Sequence, residues 1–213
     1  MSLRPDGLWR RWTLATAAGE TAGFLVPAVA AVLLPAGAGD GIRTVALVLA
    51  GSLEGAVLGW AQARVLREAV PGLNSGAWVG RTALAAAAAW MIGLSPSLLW
   101  DRFSRLPAVA TGLLAVAAGL LLLASIGVAQ WSVLRRHLPG SVSWIGWTVL
   151  GWSAGLLVFT LVTTPLWRPG DSGVVIAAIG ALGGALMAVT VGAVTGLGLI
   201  RLLRPARAGA AVR

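Results

Sequence analysis

The sequence predicts an all-α integral membrane protein with six transmembrane helices, paired as three tandem helical hairpins in a pseudo-threefold bundle. Three observations predict it. First, 58% of the 213 residues are hydrophobic, only 11% are charged, and the mean hydropathy is +0.87. Soluble domains sit near half apolar and about a quarter charged, so a soluble fold of this length could not hide so much apolar surface. Second, apolar runs fall at about 12–34, 44–66, 78–100, 107–134, 144–167 and 173–203, each long enough to cross a hydrocarbon core about 30 Å thick. Third, similar motifs recur at the same end of alternate runs.

The first run follows MSLRPDGLWRRW. It contains Glu20 and is long enough to span, so it reads as a span and not as a cleavable signal. PAGAGDG leads to the second run, which closes on GWAQARVLR (59–67). REAVPGLNSG turns the chain into the third, opening on WVGRT (78–82), and the fourth closes on GVAQWSVLR (127–135). The fifth opens on WIGWT (144–148). After RPGDSG, the sixth closes on GLGLIRLLR (196–204), ahead of a short tail over 205–213. The connections hold the Gly, Pro, Asn and Asp expected of turns and leave no room for a soluble domain. The chain is therefore one membrane domain over 1–213.

Odd runs begin with Trp followed four residues on by Thr: Trp9 and Thr13, Trp78 and Thr82, Trp144 and Thr148. Pro27, Pro96 and Pro165 follow within the same runs. Even runs end on Gly59, Gln62, Leu66 and Arg67, then on Gly127, Gln130, Leu134 and Arg135. The third copy keeps Gly196, Leu203 and Arg204 but has Leu199 in place of Gln. These registers define hairpin repeats at about 9–67, 78–135 and 144–204. In them Glu20 aligns with Ala89 and Gly155, and Glu54 with Leu122 and Val191.

All 16 basic residues are arginine. Twelve belong to one side: Arg4, Arg10, Arg11, Arg64, Arg67, Arg81, Arg135, Arg136, Arg201, Arg204, Arg207 and Arg213. Arg43, Arg102, Arg105 and Arg168 belong to the other, beside Asp40, Asp101 and Asp171. This bias predicts an inner (plasma) membrane protein with both termini cytoplasmic. It also accounts for the net charge of +9 without nucleic acid, because the arginines flank apolar runs. The lipid bilayer is the expected partner, with other membrane subunits or a homo-oligomer as further partners.

Cofactors are constrained by composition. Without cysteine, iron–sulfur clusters, disulfides and thiolate zinc sites are excluded. Without lysine there is no retinal or pyridoxal Schiff base. The single histidine, His137, leaves no His pair for haem. No catalytic constellation appears, so no enzyme activity is expected: there is no G-x-S-x-G, no phosphate-binding glycine loop and no metal-ligand cluster.

Gly55, Gly59, Gln62 and Leu66 share one helical stripe. Gly55/Gly59, Gly180/Gly184 and Gly192/Gly196 are G-x-x-x-G pairs, which let helices approach closely, and a Gln on such a stripe can bond across the gap. Gln62 and Gln130 therefore read first as cross-helix glue and second as ligand contacts. Glu20 stands about 13 Å along a helix from Arg11, and Glu54 about 20 Å from Arg67. Both fall near mid-depth, where no arginine lies. Such carboxyls must be protonated, hydrogen-bonded or turned to a polar cavity, and they are the leading ligand-binding candidates. Of the 11 tryptophans, Trp60, Trp90, Trp131, Trp147 and Trp152 lie away from the interfaces; Trp60, Trp90, Trp131 and Trp152 join the glutamates and glutamines as candidate pocket residues.

The Gly-x-Ala-Gln-(Trp)-x-x-Leu-Arg helix end, at 59–67 and 127–135 and degenerate at 196–204, resembles one in uncharacterised multi-pass membrane proteins of bacteria. That resemblance implies a bacterial membrane protein and no known activity. The chain shows no diagnostic motif of the vitamin-transporter substrate-binding subunits, which also have about six helices. Two functions follow as expectations: a bundle that binds or transports a small amphipathic, apolar or cationic ligand, such as a lipid or pigment, or a non-transporting accessory subunit that docks other membrane proteins through Gly-rich faces.

Overall fold

A computed structural model describes residues 5–35 and 37–210. They form α1 (Pro5–Leu33), α2 (Asp40–Ala69), α3 (Ser75–Leu98), the one-turn α4 (Trp100–Phe103), α5 (Ala108–Leu134), α6 (Ser143–Thr163) and α7 (Gly173–Ala210). Among the described residues there is no strand, and six helices are long and apolar enough to cross a membrane. The expected runs are all helical. α4 is an addition, cut from what the sequence suggested was loop. The expected tail over 205–213 is helical through Ala210; residues 211–213, like Arg4, lie outside the described residues.

Local chemistry sets the ends. Pro5 opens α1, where its missing N–H and fixed φ cost nothing, and Asp6 in the first turn favours the positive end of the helix dipole. The Asn74 side chain caps α3 by accepting from the Ala77 backbone N–H at 2.9 Å. Pro71–Gly72 and Pro139–Gly140 make the two tight turns at the arginine-rich end, with Gly72 at φ +78° and Gly140 at φ +71°, conformations that favour glycine.

The long helices form a closed ring: α1 packs on α2 and α7, α2 on α3, α3 on α5, α5 on α6, and α6 on α7. The main apolar core lies at the arginine-rich end. There the rings of Trp12 and Trp78 both meet Trp144, at centroid distances of 5.6 Å and 6.2 Å. Leu66, Leu134 and Leu199 are fully buried in the same cluster. Large apolar side chains face outward around the ring, among them Val32, Leu53, Leu84, Leu113, Leu161 and Val174. Soluble monomers rarely expose apolar surface on that scale.

The packing differs from the side-by-side alignment of the runs in two places. In α1 the tryptophan that joins Trp78 and Trp144 is Trp12, not Trp9, and the matching threonine is Thr16, buried like Thr82 and Thr148. Trp9 instead lies beside α7 and donates its indole N–H to the Ala193 carbonyl at 2.9 Å. In α7 the glycine that lies against a threonine, as Gly59 and Gly127 do, is Gly192, not Gly196. A Cβ on Gly59 would stand 3.0 Å from Thr82 Cβ, one on Gly127 3.0 Å from Thr148 Cβ, and one on Gly192 3.2 Å from Thr16 Cβ. Thr195 then takes the place of Gln62 and Gln130. The sequence pattern allows either choice, because Trp9 and Trp12 in α1, and Gly192 and Gly196 in α7, each stand about one helical turn apart.

A Cβ at Gly127 would press on Thr148 Cβ at 3.0 Å and on the Ile145 Cα at 3.2 Å, whereas one at Gly146 meets nothing within 4 Å. Gly127→Ala is expected to destabilise the protein by about 1–3 kcal/mol through overpacking, and Gly146→Ala to leave stability unchanged or slightly raised. Thermal unfolding of the detergent-solubilised variants measures the difference; equal melting temperatures would show that the close contact is not required.

Candidate functional site

One helical turn inward from the tryptophans, the ring carries a polar layer. Gln130 Nε2 donates to Gln62 Oε1 at 2.9 Å and to Thr82 Oγ1 at 3.2 Å. Gln62 Nε2 donates to Thr16 Oγ1 at 3.4 Å. The Trp144 indole N–H donates to Gln130 Oε1 at 3.0 Å, and that of Trp12 to Thr195 Oγ1 at 2.9 Å. Gln62 and Gln130 are buried, and their polar atoms bond within this layer. They tie α1, α2, α3, α5 and α6 across the ring, where glycines bring the backbones together.

A further turn inward stand the two glutamates. Glu20 of α1 and Glu54 of α2 are 3% and 8% exposed, and both line the same cavity. Gly23 lets α1 approach α2 closely here, since a Cβ there would stand 2.9 Å from the Glu54 carbonyl oxygen and 3.2 Å from Glu54 Cγ. Glu54 Oε2 also accepts from the Trp90 indole N–H of α3 at 2.9 Å. Trp90 reaches it by lying over Gly51, where a Cβ would overlap the indole ring.

Both glutamates border a cavity of about 350 Å³, partly open, whose other walls include Leu58, Ala86, Trp90, Ile126 and Trp152. Beside Glu20 and Trp152, α3 lines it with the small residues Ala86, Ala89 and Gly93 as well as with Trp90 and Leu94. No arginine lines it.

The structure thus brings together Glu20, Glu54, Trp90 and Trp152. It leaves out the other candidates. Trp60 is 55% exposed on the outside of α2, with the Arg64 guanidinium 4.7 Å over its ring. Trp131 packs against the tryptophan core, with Arg135 5.2 Å over its ring. Each lies one turn from an arginine on its own helix, which draws it to the arginine-rich end. Gln62 and Gln130 belong to the layer beneath the cavity. Sequence reasoning missed Ala86 and Gly51, though aligning Trp12 with Trp78 and Trp144 would have set Glu20 opposite Ala86 and Trp152. Among the described residues no three His, Asp or Glu side chains converge as metal ligands. No family model, curated protein or solved structure matches the chain.

The Trp78 indole N–H is the exception in its level: it is buried with no hydrogen-bond partner, while that of Trp144 is bonded. Replacing each by Phe removes similar packing, but only Trp144→Phe loses a hydrogen bond. Trp144→Phe is therefore expected to destabilise by about 0.5–1.5 kcal/mol more than Trp78→Phe. Chemical or thermal unfolding compares them; the reverse order would mean that the Trp78 N–H is bonded and the Trp144 bond contributes little.

Proposed function

We propose that this chain is an inner-membrane protein built of three divergent helical hairpins, α1–α2, α3–α5 and α6–α7. We further propose that its cavity binds or carries a small amphipathic cation. The observation that carries the reading is the pair of buried carboxyls facing a cavity of about 350 Å³ with no cation of its own. A ligand with one positive charge and an apolar body matches those walls: the carboxyls answer the charge, while Leu58, Ile126 and the rings of Trp90 and Trp152 cover the rest. The matched positions Trp12/Trp78/Trp144, Thr16/Thr82/Thr148, Gly59/Gly127/Gly192 and Leu66/Leu134/Leu199 support the hairpin repeat. The outward apolar side chains and the arginine bias support insertion with both termini in the cytoplasm.

A second reading has one feature of its own. Gly180 and Gly184 of α7 form a G-x-x-x-G pair with nothing within 4 Å of either, which suits an accessory subunit that docks another membrane helix. Recovery of a stoichiometric membrane partner, lost on Gly184→Leu, would favour it over the ligand reading.

Two outcomes are expected. A reporter fused at Arg213 is active only in the cytoplasm; activity outside the inner membrane overturns the topology. Benzyltrimethylammonium binds the purified protein, and Glu20→Gln and Glu54→Gln each weaken that binding by at least about tenfold, or 1.4 kcal/mol, while elution and helicity stay unchanged. Binding that is indifferent to both substitutions removes the carboxyls from the site.

A further inference from the structure

The two carboxyls differ in their partners. Glu54 accepts from Trp90. Glu20, 97% removed from solvent, has no hydrogen bond from any described residue, yet it borders the cavity. A buried polar group without an external partner is costly unless something fills that role. The charged groups of the surrounding helices do not reach it. On α1, Asp6, Arg10 and Arg11 stand at the arginine-rich end, and Arg11 is paired with Glu68 of α2 at 2.7 Å. Arg64 and Arg67 of α2, Arg81 of α3, Arg135 beyond α5 and Arg201 and Arg204 of α7 lie at that same end, below the glutamine layer. Asp40 and Arg43 stand in the first turn of α2 at the opposite end, and α6 has no charged residue. Within the cavity Glu20 and Glu54 are the only titratable groups among the described residues.

An apolar site this deep favours zero net charge in each state it visits, because an isolated charge there is expensive. Two carboxyls on one cavity allow two such states. Empty, the pair is neutral when both carboxyls hold protons. Occupied by a monovalent cation, it is neutral when one proton remains on the pair, with the Trp90 N–H still donated to Glu54. Passing from one to the other requires the loss of one proton.

We propose that the Glu20–Glu54 pair exchanges one proton for one monovalent organic cation. This rests on the reading of the cavity as a cation site. In the step, one carboxyl O–H bond breaks and its electron pair stays on the oxygen. The proton passes to water at the open side of the cavity, and the cation takes its place against the new carboxylate. Nothing is oxidised or reduced, and the total charge is conserved. A divalent cation would leave the same pair with an uncompensated charge unless both protons left, and an anion has no donor other than the Trp90 N–H.

The test uses the full chain in detergent micelles and benzyltrimethylammonium, whose charge does not titrate, so any pH dependence belongs to the protein. Titration calorimetry in buffers of different ionisation enthalpy should show about one proton released per cation bound, and affinity should tighten about tenfold per pH unit across the range where release is seen. Glu20→Gln combined with Glu54→Gln should abolish binding. Either single variant keeps one exchangeable carboxyl and should keep the pH slope at weaker affinity, which guards against a double variant that fails to fold. Binding with no proton release and no pH dependence overturns the exchange and leaves the cavity a cation site. No binding by the native chain at any pH overturns both.

Discussion

The close approach of neighbouring helices across glycine is the constraint on which the interior depends. α3 can lie against α2 because Gly59 offers no side chain to Thr82, and α6 against α5 because Gly127 offers none to Thr148. α1 lies against α7 in the same way at Gly192. In a bilayer, lipid tails are as apolar as leucine, so packing contact and cross-helix hydrogen bonds must supply what the hydrophobic effect supplies in water. The glycines provide the first directly and the second by consequence. With the backbones close, Gln130 can reach Gln62 and Thr82 in the same layer.

The layers then assign different tasks to different depths. The tryptophan and leucine core closes the arginine-rich end. The glutamine and threonine layer satisfies most of its own polar atoms and so presents little unpaired polarity to what lies beyond it. Above it, short side chains on α3 leave a space that the glutamates border. A cavity closed on one side and lined mainly by apolar groups strengthens any interaction between its carboxyls and a charge. That setting lets two carboxyls act as a pair, where in water they would be independent acids.

The glutamates were legible because a carboxyl far along an apolar run is costly and therefore conspicuous. Trp90 and Trp152 were legible only as tryptophans away from the interfaces. Trp60 and Trp131 met the same description and lie elsewhere, since position along a helix says nothing about which way its side chains point until neighbours are known. The cross-helix bonds of the glutamines were legible because amides seldom sit in hydrocarbon without a partner. The register of α1 and α7 was not legible. Trp9 and Trp12 both precede threonines at helical spacing, and Gly192 and Gly196 are one turn apart, so local pattern offers two equivalent choices.

By itself the sequence determined the helical class, the number of long apolar helices, the place of the turns and the absence of cysteine and lysine chemistry. These follow from composition and from periodicity along one helix, which are local properties. The tertiary structure decided which tryptophan enters the core, which glycine carries the contact, and that Glu20 and Glu54, 34 positions apart in the chain, share one cavity. Those outcomes depend on the relative rotation and offset of separate helices. Small residues set that geometry by what they leave vacant, and a vacancy acquires meaning only when the facing helix is in place.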